Sequence, residues 1–206
     1  MIKIEKDKLG LQDYFYIGYL YLIILGIVSD AIFYGIFGVS YLNYTTILDA
    51  LISPISLLTN NWFISLFLVL MFWLMYMYFT KWMFKFYAYL RVKKWYQKIY
   101  NIDKWDKKYE ELGKKKNILP GMMFIFFLLF VSMRTGMGIG MKQKYNNKEI
   151  IPNYTLVFKD NTKLHVRKVG QNSAYFFYFI PGEKVITATP IADNLKQIKV
   201  LKKKKK

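Results

Sequence analysis

Residues 62–80 read WFISLFLVLMFWLMYMYFT and contain no charged side chain. At 1.5 Å per residue, a helix of this length reaches about 29 Å, close to the ~30 Å hydrocarbon core of a bilayer. Trp62, Trp73 and Trp82 lie near its ends and middle, and tryptophan is enriched at membrane interfaces. The stretch therefore predicts a helix that spans a membrane.

Two further apolar stretches flank this segment. Residues 14–39 are interrupted only by Asp30, and the run is too long for the apolar region of a signal peptide. Residues 118–133 are apolar and become long enough to span when the helix extends to 141, with Arg134 snorkelling toward the headgroups. These stretches predict the first and third membrane spans.

A fourth apolar stretch, 47–58, contains Asp49 and Pro54. It is too short to cross a bilayer, so we predict a short membrane-associated segment that is re-entrant or interfacial. The predicted fold class is thus an α-helical membrane domain of about three spans plus this short segment, followed by a small β domain.

The overall composition agrees with a membrane protein that has charged parts outside the lipid. Apolar residues make up 54% and aromatic residues 19% of the 206 residues, and the mean hydropathy is +0.15. Cysteine is absent and His165 is the single histidine, which excludes thiolate or multi-histidine metal sites and a cysteine nucleophile. His165 falls on the outer face of the predicted sheet. Since no catalytic motif is present, we predict a protein that is not an enzyme and holds no metal or cofactor.

Positive charge is concentrated in two blocks. Residues 1–80 carry a net charge of −2, residues 81–116 a net +8, and residues 142–206 a net +11; with Arg134 the chain totals +18. The positive-inside rule predicts that 81–116 is cytoplasmic, in a multi-pass protein of the cell inner membrane.

The number of spans and the distribution of charge predict opposite locations for the C-terminal domain. Three spans place it outside, whereas its charge favours the cytoplasmic side. We favour the cytoplasmic side here. That choice requires residues 118–141 to dip into the membrane and return, or residues 45–58 to cross it.

The connector, residues 81–116, shows apolar residues at three- and four-residue spacing between lysines. This pattern predicts an amphipathic helix that continues from the second span to about 112–113. We expect its cations to contact anionic lipid headgroups, with nucleic acid phosphates as the alternative. The predicted contact residues are Lys81, Lys85, Arg91, Lys93, Lys94 and Lys98.

From residue 152 the pattern changes to a period of two. The predicted strands are 154–158, 163–169, 175–180, 185–189 and 197–201. We divide the chain into a helical membrane domain, 1–141, and an all-β domain, 142–206, with a lysine tail at Lys202–Lys206. With a helical turn at Ile191–Asn194 before the last strand, the module resembles the SH3-like small barrel and, more loosely, the Sm-like variant. That resemblance implies peptide binding, RNA binding or oligomerisation.

Charged and small residues inside the spans are the candidate sites. Asp30 is costly in a span, which indicates ion or proton handling, or a pairing with Arg134 across helices. The alternative places Asp30 near the outer boundary, where it caps a second helix that starts at Ala31 and meets water. Gly136 and Gly140 are four residues apart, which favours helix packing or a hinge.

The layout of a small, lysine-rich, multi-spanning chain with a basic end resembles the membrane accessory proteins of Cas13b-type CRISPR loci. That resemblance implies a non-enzymatic accessory protein, oligomeric, which modulates antiviral defence or membrane integrity. Its partners would be an RNA-guided nuclease or another defence protein, besides anionic lipid and its own copies. The alternatives are a small channel, since three helices before an Sm-like domain resemble small mechanosensitive channels, and a membrane-tethered module that binds nucleic acid or peptide.

Overall fold

A computed structural model of the protein describes residues 10–60, 62–114, 119–147, 151–183 and 185–201. The helices are α1 (Leu11–Gly35), α2 (Ile47–Asn60), α3 (Trp62–Met77), α4 (Met83–Arg91), α5 (Lys94–Ile99), α6 (Ile102–Lys114), α7 (Leu119–Asn146) and α8 (Ile191–Asn194), with a 3₁₀ turn at Tyr41–Tyr44 and a π-helical segment at Tyr78–Trp82. The strands are β1 (Tyr154–Phe158), β2 (Lys163–Gln171), β3 (Tyr175–Phe179), β4 (Ile186–Pro190) and β5 (Leu195–Val200). The lysine tail lies outside the described residues.

Three helices are long and apolar enough to cross a membrane, as the sequence predicts: Leu11–Gly35, Trp62–Arg91 and Leu119–Asn146. In the most apolar part of each of these helices, less than a quarter of the residues are buried. Most of the apolar side chains therefore point outward, where lipid would cover them. The first helix ends at Gly35 rather than near 39, because Gly38 adopts a φ of 81° and turns the chain.

The lengths of two helices bear on the side of the membrane that the C-terminal domain occupies, which stays a prediction. Leu119–Asn146 is one unbroken helix of 28 residues, about 42 Å long, and does not dip and return. Ile47–Asn60 has 14 residues, about 21 Å, which is short of a hydrocarbon core. The length of α2 therefore agrees with the predicted short membrane-associated segment.

The connector is not the single helix that the sequence predicts. The helix that begins at Trp62 ends at Arg91, since Lys93 is extended with φ −76° and ψ 125°. A second break at Tyr100, with φ −117° and ψ 139°, separates α5 from α6. The side chain of Asn101 accepts a hydrogen bond from the Lys104 amide at 3.2 Å, an N-terminal cap that favours starting a new helix there.

The C-terminal strands form one antiparallel sheet in the order β4-β3-β2-β1-β5. All five strands lie within two residues of their predicted positions, and α8 precedes β5 as expected. The prediction of a closed barrel is wrong: the sheet is open, with β4 and β5 as its two edges. Alternating residues define which face of a strand is buried, but they do not determine whether the edge strands meet.

The sheet is covered on both faces at β3, where Phe176 to Phe179 are all buried. On one face Leu156, Val166, Phe176 and Tyr178 form a core together with Leu195. On the other face Phe177 packs against aromatic residues that precede α2. The consecutive apolar residues of β3 therefore reflect burial on both faces, as expected for a central strand.

The contacts divide the chain into two compact units. One contains the residues up to Leu57 together with those from Phe130 onward; the other contains Leu58–Leu129. The predicted boundary at 141 separates helices from strands, whereas the contacts group the helical segments 11–57 and 130–146 with the sheet. In the second unit Gly121 lies against the Phe79 ring, and the Phe72 and Phe126 rings are 6.4 Å apart.

Candidate functional site

Asp30 and Arg134 form an ion pair between α1 and α7. Arg134 donates to Asp30 Oδ1 from Nη2 at 2.8 Å and from Nε at 3.3 Å. The two side chains are 13% exposed for Arg134 and 2% exposed for Asp30. The guanidinium carbon lies 3.8 Å from the centroid of the Phe33 ring, an arrangement in which a cation is attracted to an aromatic face. Of the three predictions for Asp30, the structure shows the pairing with Arg134.

The alternative for Asp30 does not hold in the structure. The helix runs through Ala31 without a break from Leu11 to Gly35, so no second helix starts there, and Asp30 is buried from water. A paired and buried carboxylate gives the channel alternative no support from this residue. The pair instead fixes how two helices meet, since separating buried partners is costly.

The contact between α1 and α7 continues on the C-terminal side of the ion pair in both helices. A Cβ on Gly138 would lie 2.7 Å from Ile36 Cδ1 and 3.2 Å from Phe33 Cδ2, so glycine permits the close approach. Lys142 donates from Nζ to the Ile36 carbonyl at 2.6 Å, which places a cation at a helix C-terminus that has no basic residue in its own last turn. Because contacts advance together along both helices, the two helices run in the same direction.

The two predicted packing glycines lie on either side of this contact. Cβ atoms added to Gly136 or Gly140 would meet no described atom within 4 Å. Gly138 is the glycine that touches α1, and the sequence contains a signal for it. It follows Arg134 by four residues, which puts both on one helix face. A helix-packing or hinge role for Gly136 and Gly140 stays a prediction.

An aromatic junction joins the end of α1 to the sheet; we define it as Tyr34, Phe37, Tyr41, Phe177 and Phe179. The Tyr34 and Tyr41 rings stack at 4.4 Å, and Phe177 lies 4.8 Å from Tyr34. Phe37 lies 5.5 Å from Phe179. Such ring pairs add to the stabilisation from apolar burial.

Two features extend the aromatic junction. The ring of Tyr145, at the end of α7, stacks on Phe179 at 4.1 Å. A Cβ on Gly170 would lie 2.0 Å from the Tyr34 hydroxyl oxygen. Gly170 follows a register shift in β2 between Lys168 and Gly170, a bulge that leaves room for the tyrosine. Both α1 and α7 therefore contact the sheet through aromatic rings.

A polar latch ties the start of α2 to the loop between β2 and β3. Asp49 accepts from the Ser173 amide at 3.0 Å and from the Ser173 hydroxyl at 3.1 Å. Thr46 and Asp49 form a reciprocal cap, in which each side chain accepts a hydrogen bond from the other's amide at 3.1 Å. Asn172 donates to the Tyr44 carbonyl at 2.6 Å. The Thr-x-x-Asp spacing before an apolar run is the sequence signal for this cap.

The latch is expected to depend on pH through Asp49. Desolvation alone would raise the pKa of its carboxyl, but the hydrogen bonds from Ser173 and Thr46 outweigh it and hold the pKa below its ordinary value. A lowered folded-state pKa stabilises the fold above the unfolded-state pKa, and this contribution is lost as pH falls through the folded-state pKa.

We therefore expect Asp49→Ala to lower the thermal unfolding midpoint of the detergent-solubilised protein near neutral pH, since it removes a helix cap worth about 1 kcal/mol. The difference from the unsubstituted protein should shrink as pH falls from about 5 to about 2, the window in which a carboxyl of lowered pKa becomes protonated. Ser173→Ala, which keeps the cap and the Ser173 amide, should have a smaller effect. A difference that stays constant over this range would contradict a role for the Asp49 charge.

The six predicted connector cations are exposed, and two of them have partners. Arg91 forms an ion pair with Asp106 at 2.7 Å, and Lys93 Nζ lies 4.7 Å from the centroid of the Tyr89 ring. The exposed His165 contacts the Thr155 hydroxyl at 2.9 Å. Within the described ranges, no group of three or more His, Cys, Asp or Glu side chains is placed to hold a metal ion.

Comparisons with known proteins add no assignment to this site. No protein family model, curated protein or solved structure matches the chain. The function is therefore inferred from the contacts among the described residues.

Proposed function

We propose that this protein is a non-enzymatic integral membrane accessory protein, in which two membrane helices carry the five-stranded sheet as a rigidly attached module for docking a partner. The observation that carries the proposal is the attachment of α1 and α7 to each other, through Asp30 and Arg134, and to β3 through the aromatic junction.

This attachment differs from a domain on a free linker. Flexible linkers are polar and rich in glycine or serine, and they leave a domain free to move. Here the ring of Phe37, two residues beyond α1, and the ring of Tyr145 in α7 both contact Phe179. The latch at Asp49 adds a polar contact with the loop that precedes β3. A sheet held in this way suits a protein that keeps a partner at a fixed distance from the bilayer.

The edge strands β4 and β5 offer backbone groups for such a partner. A peptide or a second copy adds to a sheet at an edge strand through main-chain hydrogen bonds. Lys196 and Lys199 on β5 are exposed, and lysine on an edge strand discourages unspecific pairing. We therefore favour β4 as the docking edge.

Our proposal places the sheet on the opposite side of the membrane from the connector. Three crossings are an odd number, so the segments before the first and after the third crossing lie on opposite sides. The connector's net +8 favours the cytoplasm for residues 81–116. With an unbroken α7 as the last crossing, the sheet would lie outside, although its own charge favours the cytoplasm.

The absence of cysteine from the sequence allows a direct test of this topology. Lys98→Cys on the connector and Lys199→Cys on β5 replace exposed lysines. In cells with an accessible inner membrane, an impermeant maleimide should label the Lys199→Cys protein alone, and both proteins after permeabilisation. Labelling of both before permeabilisation, or of neither, would contradict three crossings, as would recovery of the intact chain in the aqueous fraction without detergent.

For the biological setting, we propose the antiviral role implied by the resemblance to CRISPR accessory proteins. The partner docked by the sheet would then be an RNA-guided nuclease or another defence protein, and several copies would assemble in the membrane. The encoding locus provides the test. A neighbouring repeat array or effector nuclease supports this role, and a neighbourhood without either removes its main support.

A further inference from the structure

The three connector helices α4, α5 and α6 form an open cleft that the sequence did not indicate. The cleft has a volume of about 670 Å³ and lies between α4, α5 and α6. It is lined by Tyr87, Ala88, Arg91, Val92, Gln97 and Ile102. The apolar helix that begins at Trp62 ends at Arg91, so the cleft lies at the end of the helix that contains the second predicted span.

Arg91 is held in a fixed position on the wall of this cleft. Its Nη2 lies 2.7 Å from Asp106 Oδ2, and Asp106 Oδ1 accepts a hydrogen bond from the Tyr87 hydroxyl at 2.6 Å. Gln97 donates from Nε2 to the Arg91 carbonyl at 2.8 Å. A carboxylate uses at most two of the five N–H groups of a guanidinium. The Arg91 side chain is 57% exposed, so its remaining donors are accessible to a ligand.

The chemistry of such an arginine favours phosphate. A guanidinium binds phosphate oxygens with two parallel hydrogen bonds, which an ammonium group cannot reproduce. Lys94 and Lys98, on α5, are exposed and add positive charge beside the cleft. Asp106, which pairs with Arg91, also accepts a hydrogen bond from the Tyr87 hydroxyl.

The same short segment exposes large apolar side chains. Trp95 is 55% and Ile99 is 66% exposed, and they are four residues apart on α5. An apolar face next to lysines is typical of a helix that lies in the membrane interface. Exposed apolar side chains recur between the span and Trp95, at Trp82, Phe86, Tyr89 and Val92. This series favours lipid over nucleic acid as the occupant.

We propose that the cleft at Arg91 binds the phosphate headgroup of an anionic phospholipid, while Trp95 and Ile99 insert between the acyl chains beside it. The inference rests on the proposed membrane location and gives the connector a defined lipid site, in place of a diffuse attraction between a basic segment and a charged surface.

The test measures lipid retained by the purified full-length protein in detergent, by native mass spectrometry with phosphatidylglycerol or phosphatidylcholine added. The unsubstituted protein should retain phosphatidylglycerol at least tenfold more tightly than phosphatidylcholine. Arg91→Gln should remove most of this preference, and Arg91→Lys should reduce it several-fold, because lysine keeps the charge and loses the planar donors.

Lys104→Gln is the matched control, since it removes one exposed connector charge that neither lines the cleft nor belongs to the predicted lipid contacts. It should keep the preference to within about twofold. Ile99→Ser tests the apolar part without touching the Arg91 ion pair, and it should weaken binding of both lipids. Circular dichroism of each variant monitors folding, and if Arg91→Gln loses helix content, Arg91→Lys and Ile99→Ser decide the result.

Three outcomes would overturn the proposal. Equal losses in Arg91→Gln and Lys104→Gln would mean diffuse charge attraction. Displacement of the lipid by millimolar inorganic phosphate would mean a site for free phosphate. Tighter, Arg91-dependent binding of a short single-stranded RNA would mean a nucleic acid site. If lipid selectivity fails while the Lys98→Cys and Lys199→Cys labelling pattern holds, the headgroup site is wrong and the membrane topology stands.

Discussion

Replacing Arg134 with methionine is expected to lower the free energy of unfolding by about 3–5 kcal/mol, because it leaves the Asp30 carboxylate buried without its partner. Asp30 is 2% exposed, so solvent cannot replace the two lost hydrogen bonds. The Phe33 ring also loses the cation that lies 3.8 Å from its centroid. Unfolding in mixed detergent and dodecyl sulfate micelles, followed by far-ultraviolet circular dichroism, measures the difference.

The paired variant Asp30→Leu with Arg134→Met is the decisive control. Removing both charges leaves an apolar contact, which in buried sites is often as stable as the ion pair it replaces. We expect the double variant to recover most of the loss. Arg134→Lys should lie between the two, since lysine keeps the charge but not the planar contact with Phe33. A double variant as unstable as Arg134→Met would show that the loss has another cause.

Replacing Gly26 with alanine is expected to destabilise the protein by about 1–3 kcal/mol, because the added methyl group has no room. Its Cβ would lie 1.8 Å from the Ala50 carbonyl oxygen and 3.2 Å from Pro54 Cδ. The first obstacle is backbone, so α1 and α2 must move apart. Alanine is otherwise the better helix former by about 1 kcal/mol, so the steric effect must reverse the ordinary preference.

Gly18→Ala is the control in the same helix. A Cβ at Gly18 meets no described atom within 4 Å, so this substitution should be neutral or slightly stabilising. The same micelle titration compares the two variants. Equal effects at Gly26 and Gly18 would mean that α1 and α2 are not held by this close approach.

The elements that follow from local pattern were predictable from the sequence. A long run without charge requires a long apolar helix, and a period of two requires strands, so three helices and five strands lie where expected. The pairing of Asp30 with Arg134 was one of three alternatives, because a charge in a span needs a partner or water. Choosing between them required the unbroken helix through Ala31.

The features that depend on distant contacts were not predictable. Helical periodicity continues through 81–112, and the breaks at Lys93 and Tyr100 are favoured by contacts between helices. One is the stacking of Tyr87 on Tyr109 at 3.9 Å, and another is the ion pair of Arg91 with Asp106. The open sheet and the aromatic junction likewise depend on which segments meet after folding.

The ion pair between α1 and α7 also has a consequence for biosynthesis. Its two residues are 104 positions apart in the chain, and a ribosome adds about 5–20 residues per second. The carboxylate of Asp30 thus emerges roughly 5–20 s before its guanidinium partner exists. During that interval the first helix carries an acid without its partner, and such a group is costly inside a membrane. The contact of α1 with α7 can therefore form only after the third apolar helix has been synthesised.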